Sequence, residues 1–506
     1  MGAQQVALLG PVAEDMRALL GDRWDRTLAR AGRGGRLADH AMLPLLAYVA
    51  PLWERSGLFD ELAGMAQAFS ISRGDALRMF FAGLYGGSTG FVATGSATRS
   101  GGALIGRNID WYDQQGLLRP VLTHYCPRNG DFEYVSAGWP LVGIPIAGLN
   151  EHGLAISVNF FHADEMVGLA LAQVPYRLAL QRARTVGEAL ELFHGVRNRG
   201  GTGFVLLADA AGEIALVECI PSKCVRYDAR EDWIAQANHA RTQAMRAHDL
   251  GRTPDSQRRR LAMEQAVRAR VGRIDPLASA EILRDRSSSL HVDGSTVANP
   301  AVLSSIVIDP ATRTLWHSTA AQPLAPFGPL EPFRFGSSSR AAPIPADPRF
   351  GRPQLDREAQ AVRALQRVAD RIDAQQPDEA LRMLAQVAAI DPGFDPDRLA
   401  WMQALAHLRV GDAKGARSPL AAIDLNRAPF EVAAAALAGE ALVREAAGDP
   451  AAARALRDRA RARLDARPEL DAPEVVGRLR AAAEAPVPSG PIAATAARLP
   501  MLDQVR

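Results

Sequence analysis

The spacing of apolar and polar positions changes twice along the chain, and the changes divide it. Residues 12 to 85 carry helical spacing. In "RGDALRMFFAGLY", Leu77, Phe80, Phe81 and Leu84 fall at i, i+3, i+4 and i+7, the stripe of an amphipathic helix. From Ser88 the period shortens to that of strands. "STGFVATGSAT" and "ALIGRNIDW" are β-rich runs joined by the glycine turn Ser100-Gly101-Gly102. "PLVGIPIAGL" and "LAISVNFF" flank Asn150-Glu151-His152-Gly153, and "GFVLLADA" and "EIALVECI" flank Ala211-Gly212. "VLSSIVID" and "TLWHST" close a last hairpin around "PATR". Helical segments at about 175–195 and 255–285 interleave with these runs. Hairpins alternating with helix pairs predict two antiparallel sheets layered with helices, an α+β sandwich.

The second change comes after residue 318. Residues 319–353 are rich in Pro, Ser and Arg and read as a linker or a wrapping segment. Phe327, Phe333 and Phe335 within it cost about 1.5–3 kcal/mol each to leave in water, so the β-rich core is expected to borrow part of it. Beyond it, alanine- and arginine-rich helices take over. "QPDEALRML", "GDAKGARSPL" and "GDPAAARALR" align on Ala380, Ala416 and Ala453, at intervals of 36 and 37 residues. That spacing is near the roughly 34-residue period of a tetratricopeptide helix pair. The alternative is an alanine-rich bundle without repeat geometry. The expected organisation is a helical segment 1–87, a β-rich core 88–318, the Pro-rich stretch, helical repeats over 354–485 and a tail 486–506.

At 506 residues the chain is too long for one core. A formal net charge of +2, from 58 basic and 56 acidic residues, gives no electrostatic footprint for nucleic acid. No apolar run approaches the ~20 residues of a membrane span. The start, "MGAQQVALLGPVAEDM", has no basic region before a long apolar one, so the sequence as it stands reads as cytoplasmic, a removed leader aside. The three cysteines, Cys126, Cys219 and Cys224, are an odd number without C-x-x-C spacing, which argues against a disulfide framework or a zinc site. The ten histidines are scattered, without H-x-H or H-E-x-x-H. Neither a metal nor a cofactor is expected.

Gly86-Gly87-Ser88-Thr89-Gly90 matches the G-x-S-x-G nucleophile elbow, but an elbow needs a strand before the serine and a helix after it. Here the order is reversed. A helix, a break of small residues and a nucleophile opening a strand is the pattern of an N-terminal nucleophile hydrolase precursor. "GGSTGFVATGSATRSGGALIGRNIDW" resembles the start of the mature chain in the acyl-coenzyme A:6-aminopenicillanic acid acyltransferase family (peptidase family C45), relatives of the choloylglycine hydrolases. Gly106-Arg107-Asn108-Ile109-Asp110 stands as that family's G-R-N-x-D. "GLNEHGLAISVNFF", "TGFVLLADAAGEIALVE", "QANHA", "PDSQRRR" and "VLSSIVIDPATRTLWHS" resemble its later elements, in order, over roughly residues 60 to 320.

The resemblance implies an αββα N-terminal nucleophile sandwich that cuts its own chain at Gly87–Ser88 and then hydrolyses or transfers a small N-acyl amide. Residues 1–87 become a propeptide-like segment. Ser88 is the implied nucleophile, with its freed α-amine as base. Asp110 orients that amine. Arg107 serves the nucleophile or substrate. Strand alternation puts Arg107 and Asp110 on opposite faces, so both reach the site only through a kink near Asn108 or a curling arginine. Asn159 and Asn238 are the implied oxyanion donors. Arg259, in Ser256-Gln257-Arg258-Arg259, is the implied late arginine, its register blurred by neighbouring arginines. His152 and His239 read as structural.

Blander readings accompany each residue: a glycine-turn hydroxyl, an exposed Arg–Asp pair worth little, strand-end asparagines that form turns, and a solvated arginine face. The family usually carries cysteine where this chain has Ser88, and an alcohol is a weaker nucleophile than a partly ionised thiol. Three readings stand open: a natural serine nucleophile, a cysteine-to-serine replacement that traps the precursor, and a chain without activity. The competing hypothesis is an inactive scaffold whose helical repeats bind a protein partner.

Overall fold

The structure is a computed structural model. It describes residues 57–465 apart from 83–86, 111–119, 128, 139–144, 166–169, 172, 196–198, 201–202, 228, 230, 251–253, 287–295, 300, 337–340 and 429, together with 2–10, 13–15, 17–18 and 21. Leu84 and Gly86, most of the stretch 12–56, and the tail 486–506 lie outside the described residues.

Two antiparallel sheets face one another. The six-stranded sheet contains β1 (Gly87–Ala93), β2 (Leu104–Asp110), β12 (Trp233–Gln236), β13 (Val302–Asp309), β14 (Thr314–Ser318) and β15 (Leu330–Arg334), in the order β12-β1-β2-β13-β14-β15. The seven-stranded sheet contains β3 (Val121–Tyr125), β4 (Tyr134–Gly138), β5 (Ala147–Asn150), β6 (Ala155–Phe160), β9 (Gly203–Ala208), β10 (Ile214–Ile220) and β11 (Lys223–Tyr227), in the order β11-β10-β9-β6-β5-β4-β3. Two short strands, β7 (Ala170–Leu171) and β8 (Arg199–Gly200), pair in parallel outside both.

Period-two alternation assigns each strand's faces. On β9, Phe204 and Leu206 enter the layer between the sheets with Val92, Ile105, Ile109, Leu149 and Ile306. Val205 and Leu207 point the other way, against Tyr176, Leu180 and Phe193 of helices α4 (Gln173–Arg182) and α5 (Val186–Gly195). The opposite outer layer includes helix α8 (Pro276–Leu283), which packs on β2 and β13. The four layers are therefore αββα.

The N-terminal helices α1 (Gly2–Leu9), α2 (Leu58–Phe69) and α3 (Arg73–Ala82) join this core. Leu58, Leu62, Met65, Ala76 and Leu77 are buried in the same cluster as the inter-sheet residues. Glu61 of α2 forms a buried ion pair with Arg177 of α4 at 2.5 Å.

The Pro-rich stretch adds the edge strand β15. Phe327 and Phe335 are buried, and Trp316 Nε1 donates to Ala342 O at 2.9 Å.

One expectation fails. Cys219 and Cys224 form a disulfide. They face each other directly across the β10–β11 pair, beside a turn at Pro221-Ser222, so register brings together two thiols that linear spacing gave no reason to pair.

The chain separates into two compact units, Met1–Asp249 with Arg260–Asp285 and Val302–Asp347, and Leu250–Arg259 with Arg286–Ala301 and Pro348–Arg506. Among its described residues the second unit contains three helix hairpins: α9 (Pro353–Asp373) with α10 (Pro377–Ile390), α11 (Pro396–Arg409) with α12 (Ala413–Ala421), and α13 (Phe430–Ala446) with α14 (Pro450–Asp465). Ala380, Ala416 and Ala453 each sit in the first turn of a hairpin's second helix and are fully buried, where a larger side chain would force the pair apart. Within this unit Arg286 pairs with Glu358 at 2.7 Å, both side chains largely buried. Helices α6 (Gln243–Arg246) and α7 (Pro254–Arg268) complete the described α-helices, α7 contributing residues to both units.

Candidate active site

Ser88 is the second residue of β1 and is buried at 3% exposure. Its side chain shares a face with Gly90 and Val92, the face turned toward the inter-sheet layer. Antiparallel pairing with β2 sets Gly87 opposite Asp110, Ser88 opposite Ile109 and Gly90 opposite Arg107. Arg107 therefore lies on the serine's own face without any kink. Its Nη2 donates to Ser88 Oγ at 2.6 Å and its Nη1 to Ile146 O at 2.5 Å, with Ser157 Oγ at 3.4 Å. The ladder stays regular through Asn108. The irregularity lies on β13, between Val302 and Ser304.

The rest of the G-R-N-x-D run has separate duties. A Cβ at Gly106 would meet the Phe91 ring at 2.2 Å, so only glycine fits under that ring. Asn108 Nδ2 donates to Leu283 O at 3.0 Å and its Oδ1 accepts from Ser305 Oγ at 2.6 Å, which fastens α8 and β13 to β2. Asp110 is buried at the end of β2, cross-strand from the Gly87–Ser88 peptide.

A buried guanidinium is costly unless its charge and donors are met. Burial lowers Arg107 to about 9, against the pull of the Asp110 carboxylate, which raises it. It stays charged at neutral pH, the state in which it donates to Ser88.

Asn238 holds the other end of the serine. Its Oδ1 accepts from Ser88 N at 2.8 Å, and its Nδ2 donates to Phe160 O at 2.9 Å. Asn159, buried on β6, gives its Nδ2 to Gln236 O at 3.2 Å and Ala237 O at 3.0 Å. In this arrangement its amide N–H groups lock β6 to the end of β12 rather than pointing at Ser88. Arg259 is buried on α7, in the piece Leu250–Arg259 that belongs to the second unit. The structure thus joins Ser88, Arg107 and Asn238 by hydrogen bonds, adds Asp110 through register and Asn159 through the carbonyls of Gln236 and Ala237, and describes Arg259 with the other unit.

Two contributors went unnoticed in the sequence. Ser157 faces inward two residues before Asn159, on the same side of β6, a spacing that could have marked it. Glu218, a charge inside the apolar run "EIALVECI", is fully buried. It accepts from Arg241 N at 2.6 Å and from Thr242 N at 2.9 Å, fixing the backbone just after Asn238. Its burial raises its pKa, opposed by those bonds. His239 accepts from Arg260 Nε at 3.1 Å, and His152 stacks edge-on to Phe132.

Residues 97–323 match the family model of acyl-coenzyme A:6-aminopenicillanic acid acyl-transferase, a segment that begins after Ser88. No curated protein matches the chain. Among solved structures, the chain is similar to a Caenorhabditis elegans ortholog of N-acylethanolamine-hydrolyzing acid amidase, at 20% identity and TM-score 0.33, covering 44% of this chain and 93% of that one. It is also similar to a mutant conjugated bile acid hydrolase from Clostridium perfringens, at 14% identity and TM-score 0.36, covering 50% and 93%. The family match and the αββα layering give the core as an N-terminal nucleophile hydrolase fold, followed by a helical C-terminal region. Among the described residues no helix is long and apolar enough to cross a membrane.

Proposed function

We propose that this chain, related through residues 97–323 to amide-processing acyltransferases, cuts itself at Gly87–Ser88 and then works through Ser88 on small N-acyl amides. The observation that carries the reading is the double hold on one buried serine. Asn238 fixes its backbone nitrogen, and a charged Arg107 donor lies against its hydroxyl oxygen.

In the intact chain, Ser88 Oγ adds to the Gly87 carbonyl carbon. The C–N bond then breaks as the hydroxyl proton passes to the leaving nitrogen, which leaves Gly87 esterified to Oγ and an amine on Ser88. Water hydrolyses the ester, giving a Gly87 carboxylate and a free Ser88. Arg107 favours the negative charge that grows on Oγ before attack, which offsets the weaker nucleophilicity of an alcohol. In the mature enzyme the Ser88 α-amine takes the hydroxyl proton, having a pKa nearer neutrality than a lysine's. Asp110, cross-strand from the cleaved bond, holds that amine in place. The acyl-serine ester then passes to water or to an acceptor amine. Acylated amino acids, small peptides and lactam side-chain amides are the substrate class.

Intact mass and N-terminal sequencing test this directly. The expected product begins Ser-Thr-Gly-Phe, and Ser88→Ala stays whole. If the native chain persists uncut while Ser88→Cys cleaves, the reading moves to a trapped precursor. If neither cleaves, the inactive scaffold replaces it.

A further inference from the structure

The β3–β4 hairpin carries side chains that the amide chemistry leaves unused. His124 is on β3, Cys126 lies just past its end, and Glu133 immediately precedes β4. Tyr125 faces Tyr134 in the register, so extending the ladder by one pair sets Cys126 opposite Glu133. All three residues are exposed, and their ligand atoms lie within 4.8 Å of one another. His124 Nε2 is 3.2 Å from Glu133 Oε2 and 3.6 Å from Cys126 Sγ.

The His124–Glu133 and His124–Cys126 separations are close to those of a coordination shell. With Zn–N and Zn–O near 2.1 Å and Zn–S near 2.3 Å, adjacent ligands of a tetrahedral ion lie roughly 3.3–3.6 Å apart. A surface His–Glu ion pair accounts for the shorter separation but gives no reason for a thiol against the same ring, whose Nδ1 also lies 3.8 Å from Sγ. The imidazole is also held: it packs against Phe333 and Phe335, with ring centroids 5.0 and 5.6 Å away.

We propose that His124, Cys126 and Glu133 form a three-ligand site for a zinc-class divalent cation, with water in the fourth position. The thiolate and imidazole select a borderline-soft metal over magnesium or calcium. Linear spacing hides the site because Glu133 reaches it from across the hairpin. Strand β3 is the edge of its sheet and lies three strands from β6, so the ion clips an exposed edge and takes no part in amide cleavage. The Cys126 thiol binds a metal ion as its thiolate. Its proton passes to buffer as the metal–sulfur bond forms.

The disulfide leaves Cys126 as the chain's free thiol, which makes the test specific. The full chain, chelator-treated and kept non-reducing, is titrated with Co²⁺ as a spectroscopic substitute and with Zn²⁺ in competition. One ion per chain should bind, with a thiolate-to-cobalt charge-transfer band, release of about one proton and a higher melting temperature. Cys126→Ser should abolish the band without changing circular dichroism or amide hydrolysis. His124→Ala and Glu133→Gln should each weaken binding at least roughly tenfold, the loss that even an outer-shell contact can cause. Absence of the band with excess Co²⁺ overturns the site. So does one ion per two chains, which makes Cys126 an intermolecular ligand, or affinity unchanged in the His124 and Glu133 variants.

Discussion

Ser88 and Arg107 meet on the diagonal of the β1–β2 pair. Arg107 stands opposite Gly90, yet its Nη2 lies 2.6 Å from Ser88 Oγ. With no side chain at Gly90, where even a Cβ would fall 3.1 Å from Gly106 O, the arginine runs along the sheet face toward the serine.

Removing that donor should slow chemistry before it harms the fold. Arg107→Met keeps apolar volume between the sheets but offers Ser88 Oγ nothing. Self-cleavage followed by mass spectrometry should slow about 10²–10³-fold, the effect of losing one preorganised donor. Arg107→Lys keeps charge but lacks the fork that serves Ser88 and Ile146 O together, and should fall between. Cleavage as fast as in the native chain would remove Arg107 from the mechanism.

The same residue sets an alkaline limit. Arg107 brings positive charge to Ser88 Oγ only while protonated, and burial has lowered it to about 9. The cleavage rate should therefore fall as pH rises through about 9, and the fall should be missing from the slow background of Arg107→Met.

Asp110→Asn preserves shape and removes the charge that holds the mature amine. Turnover on a saturating amide substrate should drop about 10²–10⁴-fold, in the range of a lost acid–base function. Equal turnover would return Asp110 to a purely structural place beside Gly87.

Residues before the cut should stay bound after it. Leu58, Leu62, Met65 and Leu77 are core residues, and the Glu61–Arg177 pair is buried on both sides. Native mass spectrometry should find both pieces together and denaturing conditions should separate them. Glu61→Gln leaves Arg177 without its buried counter-charge, at a cost of about 3–5 kcal/mol, and should release the shorter piece.

His317, on β14, is lowered to about 4 by burial. Because the unfolded chain binds this proton at a higher pH than the folded one, stability from the neutral ring declines between about 6.5 and 4 as pH falls. Chemical denaturation across that window should show a shallower decline in His317→Gln.

The hairpins, the helix pairs and the G-R-N-x-D run were legible because strand period, glycine turns and a short motif are local. The reach of Arg107 was not. Alternation alone put it opposite Asp110, and only the pairing with β1 shows that the arginine shares the serine's face. The disulfide and the Cys126–Glu133 approach were hidden for the same reason: cross-strand neighbours depend on register. Strand β15 was masked by Pro332 and the prolines around it, and only Phe327, Phe333 and Phe335 hinted that the core would use that stretch.

Ending the chain after Asp347 should leave β15 and both sheets folded, whereas ending near Ser318 strips Phe327 and Phe335 from the core and should unfold it. The longer product should still be nicked by protease within 250–259 and 286–301, since those pieces lose their unit, Arg286 among them losing Glu358.

Those two internal pieces give biosynthesis a clock. Residues 250–259 and 286–301 leave the ribosome well before the hairpins from 348 onward that complete their unit, so the protein cannot fold strictly from its first residue to its last. Arg259 waits in that interval. Ribosome-arrested chains of increasing length would read the clock: if Arg259 serves the cut, cleavage at Gly87–Ser88 starts only in chains that expose the helical hairpins. Cleavage already present in chains arrested before them would show the hydrolase finishing alone.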